Sequence, residues 1–268
     1  MTTADYFAVG NRNHCYLDLS VFVAKFPEYT KSMIDHLVDI KIGHWDIAIR
    51  ELSAKGLHNL TACSPQYMAK EVLGKLLPMT TGIDLYLRHG AILAVAEITH
   101  ALSEVAAGQG KMASDLIDKN VVTGLKNIAI QLREAKLFKG LGGDFMRRAV
   151  SCLIEKLSLS KLPYHEDPVI DLWQGIIDEC LSAFDPDNIL QSGAAAAIPA
   201  FFTEYYKDKT GCVNCRRQEA VIEKYLNELK SSVEMTRMGF AQAIGAFPCF
   251  FMKGKLRSVL QGLINATE

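Results

Sequence analysis

The chain has 268 residues, of which 49% are hydrophobic and 22% charged, a composition that supports a large buried core and excludes a disordered tail. Its 29 basic and 30 acidic residues leave a formal net charge of −1, so no basic excess favours binding to nucleic acid. The longest apolar stretches, such as residues 194–202, are far shorter than the roughly 20 residues that a membrane span requires.

Cysteine usage and the first residues indicate a cytoplasmic location. Residues 1–14 contain neither the basic nor the apolar region of a secretory signal. The chain has 7 cysteines, an odd number, and most of them lie in apolar helical contexts where a thiol behaves as a small core residue. We therefore expect a reducing compartment, in which these thiols stay unpaired.

Apolar residues recur at helical spacing along nearly the whole chain. Residues 4–25 resemble the second helix of a hairpin whose first helix is missing. The predicted hairpins that follow pair 27–41 with 47–63, 64–80 with 85–106, about 115–138 with 144–159, 168–184 with about 188–206, and about 216–230 with 234–250. Residues 253–265 begin a sixth pair. The predicted helix breaks lie near 42–45, 81–84, 139–143, 185–188 and 231–233. No segment shows the two-residue alternation of a strand, so no sheet is expected.

The second helices share an internal repeat. An acid opens each of them, and a polar or basic residue follows three or four positions later: Asp46 and Arg50, Asp84 and Arg88, Asp144 and Arg147, Asp187 and Gln191, Glu234 and Arg237. Four residues past the polar position stand Ala54, Ile92, Ser151, Ala195 and Ala241, and seven past it stand Leu57, Val95, Ile154, Ile198 and Ile244. The polar positions are 38, 59, 44 and 46 residues apart, close to the ~40–47 residues of HEAT and armadillo repeats except for one insertion.

This repeat predicts an all-α, right-handed superhelical HEAT/armadillo-type solenoid of about five helix hairpins. The acid would cap its helix, and the basic residue would pair with that acid or with one in the next repeat, forming a ladder. The small residue would be buried where neighbouring hairpins meet, and the apolar one would fill the interface. We expect one HEAT-type domain over residues 1–268, in which 1–26 belongs to an incomplete repeat and 253–268 starts a further one.

Residues with reactive or metal-binding side chains form no recognisable constellation. Cys212 and Cys215 make a CxxC pair, but a structural zinc site needs two more ligands, and the pair lies in a polar loop between helices. The glycine-rich turn at 140–143 lacks the GK[ST] ending of a phosphate-binding loop. The histidines form no HExxH motif and no i, i+4 pair on one helix; they are His14, His36, His44, His58, His89, His100 and His165. We expect no catalytic, metal-binding or cofactor-binding residues, no cofactor, and a protein that is not an enzyme.

Two residue sets could contact a protein partner. The arginines of the repeat (Arg50, Arg88, Arg147 and Arg237) either form the ladder, which is the favoured interpretation, or face a groove and engage an acidic partner. Trp45, Tyr86 and Tyr164 lie near the hairpin turns, where partner contacts often concentrate. For these three aromatic residues, core packing is the favoured interpretation. Residues that bind a partner are not identified by sequence.

Several segments resemble one known family, tubulin-folding cofactor D. They are TTADYFAVGNR (2–12), FPEYTKSMIDHLVDIKIGHWDIAIRELSAKGLHNL (26–60), RHGAILAVAE (88–97), GLGGDFMRRAV with LIEKLSLSKLP (140–163), and EMTRMGFAQAIGAFPCFFMKGKL (234–256). These strings are far longer than a generic HEAT consensus. The segment that matches least well is about 184–233, which includes the CxxC loop.

The resemblance implies a function as well as a fold. Members of that family are much longer HEAT/armadillo solenoids and act as cytoplasmic, cytoskeleton-associated tubulin chaperones. They capture β-tubulin, meet the α-tubulin carrier cofactor E, promote GTP hydrolysis by tubulin together with cofactor C, and associate with an Arf-like small GTPase. The chain is accordingly expected to be an internal fragment or short isoform acting as a tubulin-binding chaperone module. The alternatives are a generic protein-binding HEAT scaffold, or a non-functional fragment of the longer cofactor.

Overall fold

Helical hairpins joined by short turns make up the computed structural model, which describes residues 10–208 and 210–266. Over those residues the chain forms no strand, and the only β-type pairing is an isolated bridge between Lys207 and Val213. The chain divides into two compact units. The N-terminal unit runs to Leu137 and includes Ser160–Leu162, and the C-terminal unit contains Phe138–Leu159 and the residues from Pro163 onward.

In the N-terminal unit, three of the described helices contain a π-helical turn: the first of them, and the first helix of each of the first two hairpins. Helix α1 covers residues 12–24, with its π turn at Cys15–Leu19. The remaining helices of this unit are α2 (27–41, π turn Leu37–Lys41), α3 (Ile47–Thr61), α4 (65–76, π turn Met68–Val72, followed by a 3₁₀ turn at Leu77–Thr81), α5 (Leu85–Gly108) and α6 (Lys119–Glu134). A single helical turn, Ala113–Leu116, precedes α6.

The C-terminal unit contains the other six helices. They are α7 (Gly143–Leu159), α8 (Val169–Leu181), α9 (Ile189–Tyr205), α10 (Cys215–Glu228), α11 (Glu234–Gly245) and α12 (Leu256–Asn265). The predicted all-α class and every predicted helix break are therefore confirmed. The predicted first helix began at residue 4, and residues 4–9 lie outside the described residues. The right-handed superhelix and the single domain over 1–268 stay predictions.

Acidic side chains cap two of the second helices as expected. Asp46 accepts a hydrogen bond from the backbone N–H of Ala48 at 2.9 Å, and Asp84 accepts one from Leu87 at 2.7 Å. The prediction for Asp187 was wrong. The carboxylate of Asp185, two residues earlier, accepts the backbone N–H groups of Leu190 and Gln191, because α9 starts only at Ile189. Each carboxylate satisfies N–H groups that have no acceptor within the helix.

Second helices of successive hairpins pack against each other within each unit. In the N-terminal unit α3 packs against both α1 and α5, and in the C-terminal unit α9 packs against α7 and α11. This arrangement is the one a helical solenoid requires, since no hairpin buries its apolar face alone. The five apolar repeat positions agree with this packing of second helices, because all of them are buried: Leu57, Val95, Ile154, Ile198 and Ile244.

The positions four residues after the repeat polar residue are buried in four helices, but the corresponding residue of the fifth helix is only half-buried. Ala54 and Ala195 are buried as predicted, and so are Ile92 and Ser151. Ala241, however, is only half-buried, so its predicted place at the junction was wrong. Helix α11 instead buries Gly239, Phe240 and Ala243. Its contact face is therefore rotated away from Ala241.

Two glycines mark where consecutive hairpins approach most closely. A Cβ atom at Gly90 in α5 would lie 1.8 Å from the carbonyl oxygen of Ile42, directly after α2. A Cβ at Gly239 in α11 would lie 2.2 Å from the carbonyl oxygen of Leu181, at the end of α8. Both glycines stand two residues after the repeat arginine, and both meet the end of the first helix of the preceding hairpin. The two units thus use the same close contact.

Helix α5 is long and apolar enough to cross a membrane by length and composition alone. However, 72% of its most apolar window is buried inside the structure. It also carries Arg88, His89 and Glu97 among its buried residues. This burial is typical of the core helix of a helical repeat protein.

Candidate functional site

Arg50 lies beneath a hairpin turn and is almost completely buried. Its Nη1 donates to the carbonyl oxygens of His44 at 2.7 Å and Trp45 at 2.9 Å, and its Nε donates to Nδ1 of His89 at 3.1 Å. The guanidinium thus holds the turn that precedes its own helix instead of pairing with an acid, so the ladder prediction was wrong for Arg50. Burial lowers the pKa of Arg50, opposed by the charges of the Tyr86 hydroxyl and of nearby carboxylates.

The other repeat positions show how general this turn contact is. Nη1 of Arg88 donates to the carbonyl oxygens of Gly82 at 2.6 Å and Ile83 at 3.1 Å, and Nη1 of Arg237 donates to the carbonyl oxygen of Ser231 at 2.8 Å. These acceptors stand five or six residues before each arginine, as they do for Arg50. Arg147 is the exception, because it forms the predicted ion pair with Asp144.

Gln191 takes the arginine's place in α9 and connects two hairpins. Its Nε2 lies within hydrogen-bond distance of the carbonyl oxygens of Leu181, Ala183 and Met235, at 3.0, 3.1 and 2.9 Å. Met235 belongs to α11, in the next hairpin. A neutral amide at this position therefore satisfies backbone carbonyls just as the arginines do, and it does so across a repeat boundary.

The turns that the arginines hold present apolar side chains to solvent. Trp45 is 73% exposed, Ile83 is fully exposed, and Tyr86 is 43% exposed with its ring 5.1 Å from the guanidinium carbon of Arg50. We call these three residues the N-terminal turn edge. Core packing, the favoured interpretation from sequence, was wrong for Trp45 and Tyr86. It was right for Tyr164, which is buried against Trp173.

The same pattern recurs in the C-terminal unit. Leu141, Phe184 and Val233 are exposed in the turns before α7, α9 and α11. Counting both units, an exposed large apolar residue stands four to seven positions before each of the five repeat polar residues. Sequence reasoning missed Ile83, Leu141, Phe184 and Val233. The signal that could have found them is a single large apolar residue among Gly, Asp and Ser in a turn.

Comparison with known proteins identifies a relative of the chain. No family model matches the chain, and no solved structure matches it. Over 160 residues the chain is 34% identical to Tubulin-specific chaperone D of Dictyostelium discoideum, a match that covers 59% of the chain. The resemblance to tubulin-folding cofactor D is confirmed. The match spans 10% of the length of that relative, so the whole relative's activity and partners are not assigned to the chain by it.

Asp208 accepts several hydrogen bonds close to the CxxC pair. Both thiols are exposed and free, and the carboxylate of Asp208 accepts backbone N–H groups of Thr210 and Cys212. Hydrogen bonds from Thr210, above all, lower the pKa of Asp208. That the CxxC spacing of Cys212 and Cys215 is incidental stays a prediction. The glycine-rich turn is a tight turn as predicted, because Gly140 and Gly142 have positive φ angles.

Two histidines that are distant in sequence lie together in the N-terminal unit. His58 on α3 and His100 on α5 have ring centroids 5.3 Å apart, and Glu97 and Glu104 of α5 lie beside them. One ligand atom from each of His58, Glu97 and His100 falls within 4.8 Å of the others. Sequence reasoning missed this cluster because the two histidines lie on different helices, and only the packing of α3 on α5 brings them together.

Proposed function

We propose that the chain is a tubulin-binding chaperone module that acts in β-tubulin folding and in assembly of the αβ-tubulin heterodimer. Its similarity to a tubulin-specific chaperone supports the tubulin-related role. The observation that carries a binding role is that each unit exposes large apolar side chains at its turns. A single exposed apolar residue is ordinary, but recurrence at the same place in successive repeats is typical of an interaction surface.

The N-terminal turn edge has the chemistry expected of a surface that holds a partly folded protein. Aromatic side chains such as Trp45 and Tyr86 supply large contact areas and are enriched at the centres of protein interfaces. A folding intermediate of tubulin exposes apolar surface that such residues would cover. The arginine contacts fix the turn backbone, so the apolar side chains project from a defined position.

The finer features of this proposal follow the resemblance to the family. The client is β-tubulin, the co-acting proteins are tubulin-folding cofactors C and E and an Arf-like small GTPase, and the module contributes to GTP hydrolysis at tubulin's own nucleotide site. The chain itself is not an enzyme. It acts in the cytoplasm, in association with the cytoskeleton.

The test is direct binding of the purified chain to tubulin. We expect a double variant, Trp45→Ser with Ile83→Ser, to bind at least about 30-fold more weakly, the loss of roughly 2 kcal/mol expected when interface anchors are removed. The matched control is Phe22→Ser, which removes a side chain of 59% exposure from α1, outside the turns that precede the second helices α3 and α5. Circular dichroism should show the same helical content in all of these variants.

The outcomes separate the proposal from its alternatives. Equal losses of tubulin affinity in the double variant and in Phe22→Ser would show that the N-terminal turn edge is not the binding surface. If the folded wild-type chain shows no binding to tubulin at about 50 μM, a range in which weak transient complexes are still detected, the generic scaffold or non-functional fragment replaces the chaperone module.

A further inference from the structure

His58 is surrounded by carboxylates on both sides of its ring. Nδ1 lies 3.0 Å from Oε2 of Glu97 and 3.1 Å from the backbone carbonyl oxygen of Glu97. Nε2 lies 3.2 Å from Oε2 of Glu104. The other carboxylate oxygen of Glu104 lies 3.7 Å from Nε2 of His100. Glu104 therefore reaches one nitrogen of each imidazole.

The distances from the Glu104 carboxylate to the two imidazoles are close to those between neighbouring ligands of a small transition-metal ion. Zinc bonds of about 2.0–2.1 Å in a tetrahedral site place adjacent ligand atoms roughly 3.3–3.4 Å apart. Oε2 of Glu104 lies 3.2 Å from Nε2 of His58, and the other oxygen lies 3.7 Å from Nε2 of His100, so each oxygen is near ligand spacing from one imidazole. Two imidazoles and a carboxylate are also the donor set that zinc and related divalent ions favour, with a remaining position left for water.

Glu97 has the position of an orienting residue behind a metal ligand. Histidines that bind metals usually donate their second ring N–H to a carboxylate or a backbone carbonyl, which fixes the tautomer and directs the other nitrogen to the ion. Both kinds of acceptor belong to Glu97 and face Nδ1 of His58. In the tautomer with its proton on Nδ1, the lone pair of Nε2 would point toward Glu104.

We propose that His58, His100 and Glu104 form a binding site for a divalent transition-metal ion of the zinc type, with Glu97 as the positioning residue of His58. The site joins α3 to α5, the second helices of two successive hairpins, so a bound ion would stabilise the contact between those repeats. The side chains of His58 and His100 are about four-fifths buried and that of Glu104 is 57% exposed, which leaves an entry path for the ion.

A different interpretation of the same contacts is a purely structural ion pair. The hydrogen bond with Glu97, above all, raises the pKa of His58, with smaller contributions from the charges of Glu97 and Glu104. A protonated His58 would hold α3 to α5 without any metal. The two interpretations differ in one respect, because a metal must displace the proton and its affinity must therefore fall as pH is lowered.

The experiment is titration of the full chain with Co²⁺ and Zn²⁺, followed by visible absorption, calorimetry and thermal unfolding. We expect one ion per chain, intense ligand-field bands of tetrahedral Co²⁺ that Zn²⁺ abolishes, a higher melting temperature with Zn²⁺, and weaker binding at pH 6 than at pH 8. His58→Ala and His100→Ala should each weaken binding at least tenfold, and Glu104→Gln should weaken it to a lesser degree.

The control is His14→Ala, since Nδ1 of His14 lies 2.9 Å from Asp18 in a simple exposed i, i+4 pair on the surface. That variant should bind the ion as the wild type does. If His58→Ala loses helical content, the partly exposed Glu104→Gln decides the question. Absence of stoichiometric binding, or binding that survives His58→Ala and His100→Ala in folded protein, overturns the proposal and leaves the structural ion pair.

Discussion

The close contact at Gly90 gives the sharpest test of how the hairpins stack. An alanine Cβ there would lie 1.8 Å from the carbonyl oxygen of Ile42, about 1.6 Å short of an ordinary contact of ~3.4 Å. The backbone of α5 fixes the position of Cβ, and the other atom is a backbone carbonyl oxygen, so no side-chain rotation relieves the clash and α5 must move away from Ile42. Such a movement also disturbs the packing of α5 against α3.

We expect Gly90→Ala to destabilise the chain by about 3 kcal/mol or more, the upper end of the cost of overpacking a core. Gly74→Ala is the matched control in the same unit, because a Cβ at Gly74 in α4 meets no atom within 4 Å. It should stabilise the chain by about 0.5–1 kcal/mol through the helix propensity of alanine. Urea unfolding followed by circular dichroism measures both. Similar midpoints for wild type and Gly90→Ala would refute the described approach of α5 to α2.

Four further predictions follow from the same contacts. Gly239→Ala, with 2.2 Å to a carbonyl oxygen, should also destabilise, by about 2 kcal/mol in the same urea experiment. Arg50→Met should cost roughly 1–3 kcal/mol, because it leaves turn carbonyls without a donor, and should speed amide exchange in that turn. In metal-free buffer, the contribution of His58 should be full below pH ~6.5 and disappear as pH rises through its raised folded-state pKa; His58→Gln should remove that part of the pH profile of the melting temperature. Ala54→Leu should lower stability by ~1–3 kcal/mol, and an unchanged melting temperature would contradict its burial between hairpins.

The helices and their breaks could be predicted because a helix that buries one face must carry apolar residues at its own period. The position of each repeat arginine was visible for the same reason, since it stands at a fixed distance from the helix start. Its role was not. An acid three or four residues earlier is the obvious partner for Arg50 in sequence, whereas the actual acceptors are backbone carbonyls, which every residue possesses and no sequence pattern distinguishes.

Contacts between helices also could not be predicted from the sequence. His58 and His100 are 42 residues apart, and only the packing of α3 on α5 places their rings together. The repeat alignment placed the close approach four residues after the arginine, at Ala241, whereas α11 makes it two residues after, at Gly239. An error of half a turn changes which face of a helix meets its neighbour. The periodicity of a single helix cannot resolve it.

The burial of Arg50 and Arg88 beneath their turns has a consequence for how fast and how tightly a partner could be bound. A loop that samples many conformations loses entropy when it is immobilised in a complex, and that loss subtracts from the affinity. The turns that carry Trp45 and Ile83 are already immobilised by guanidinium hydrogen bonds in the free chain. The surface is therefore preorganised, and association should proceed in a single kinetic phase without a slow rearrangement after encounter.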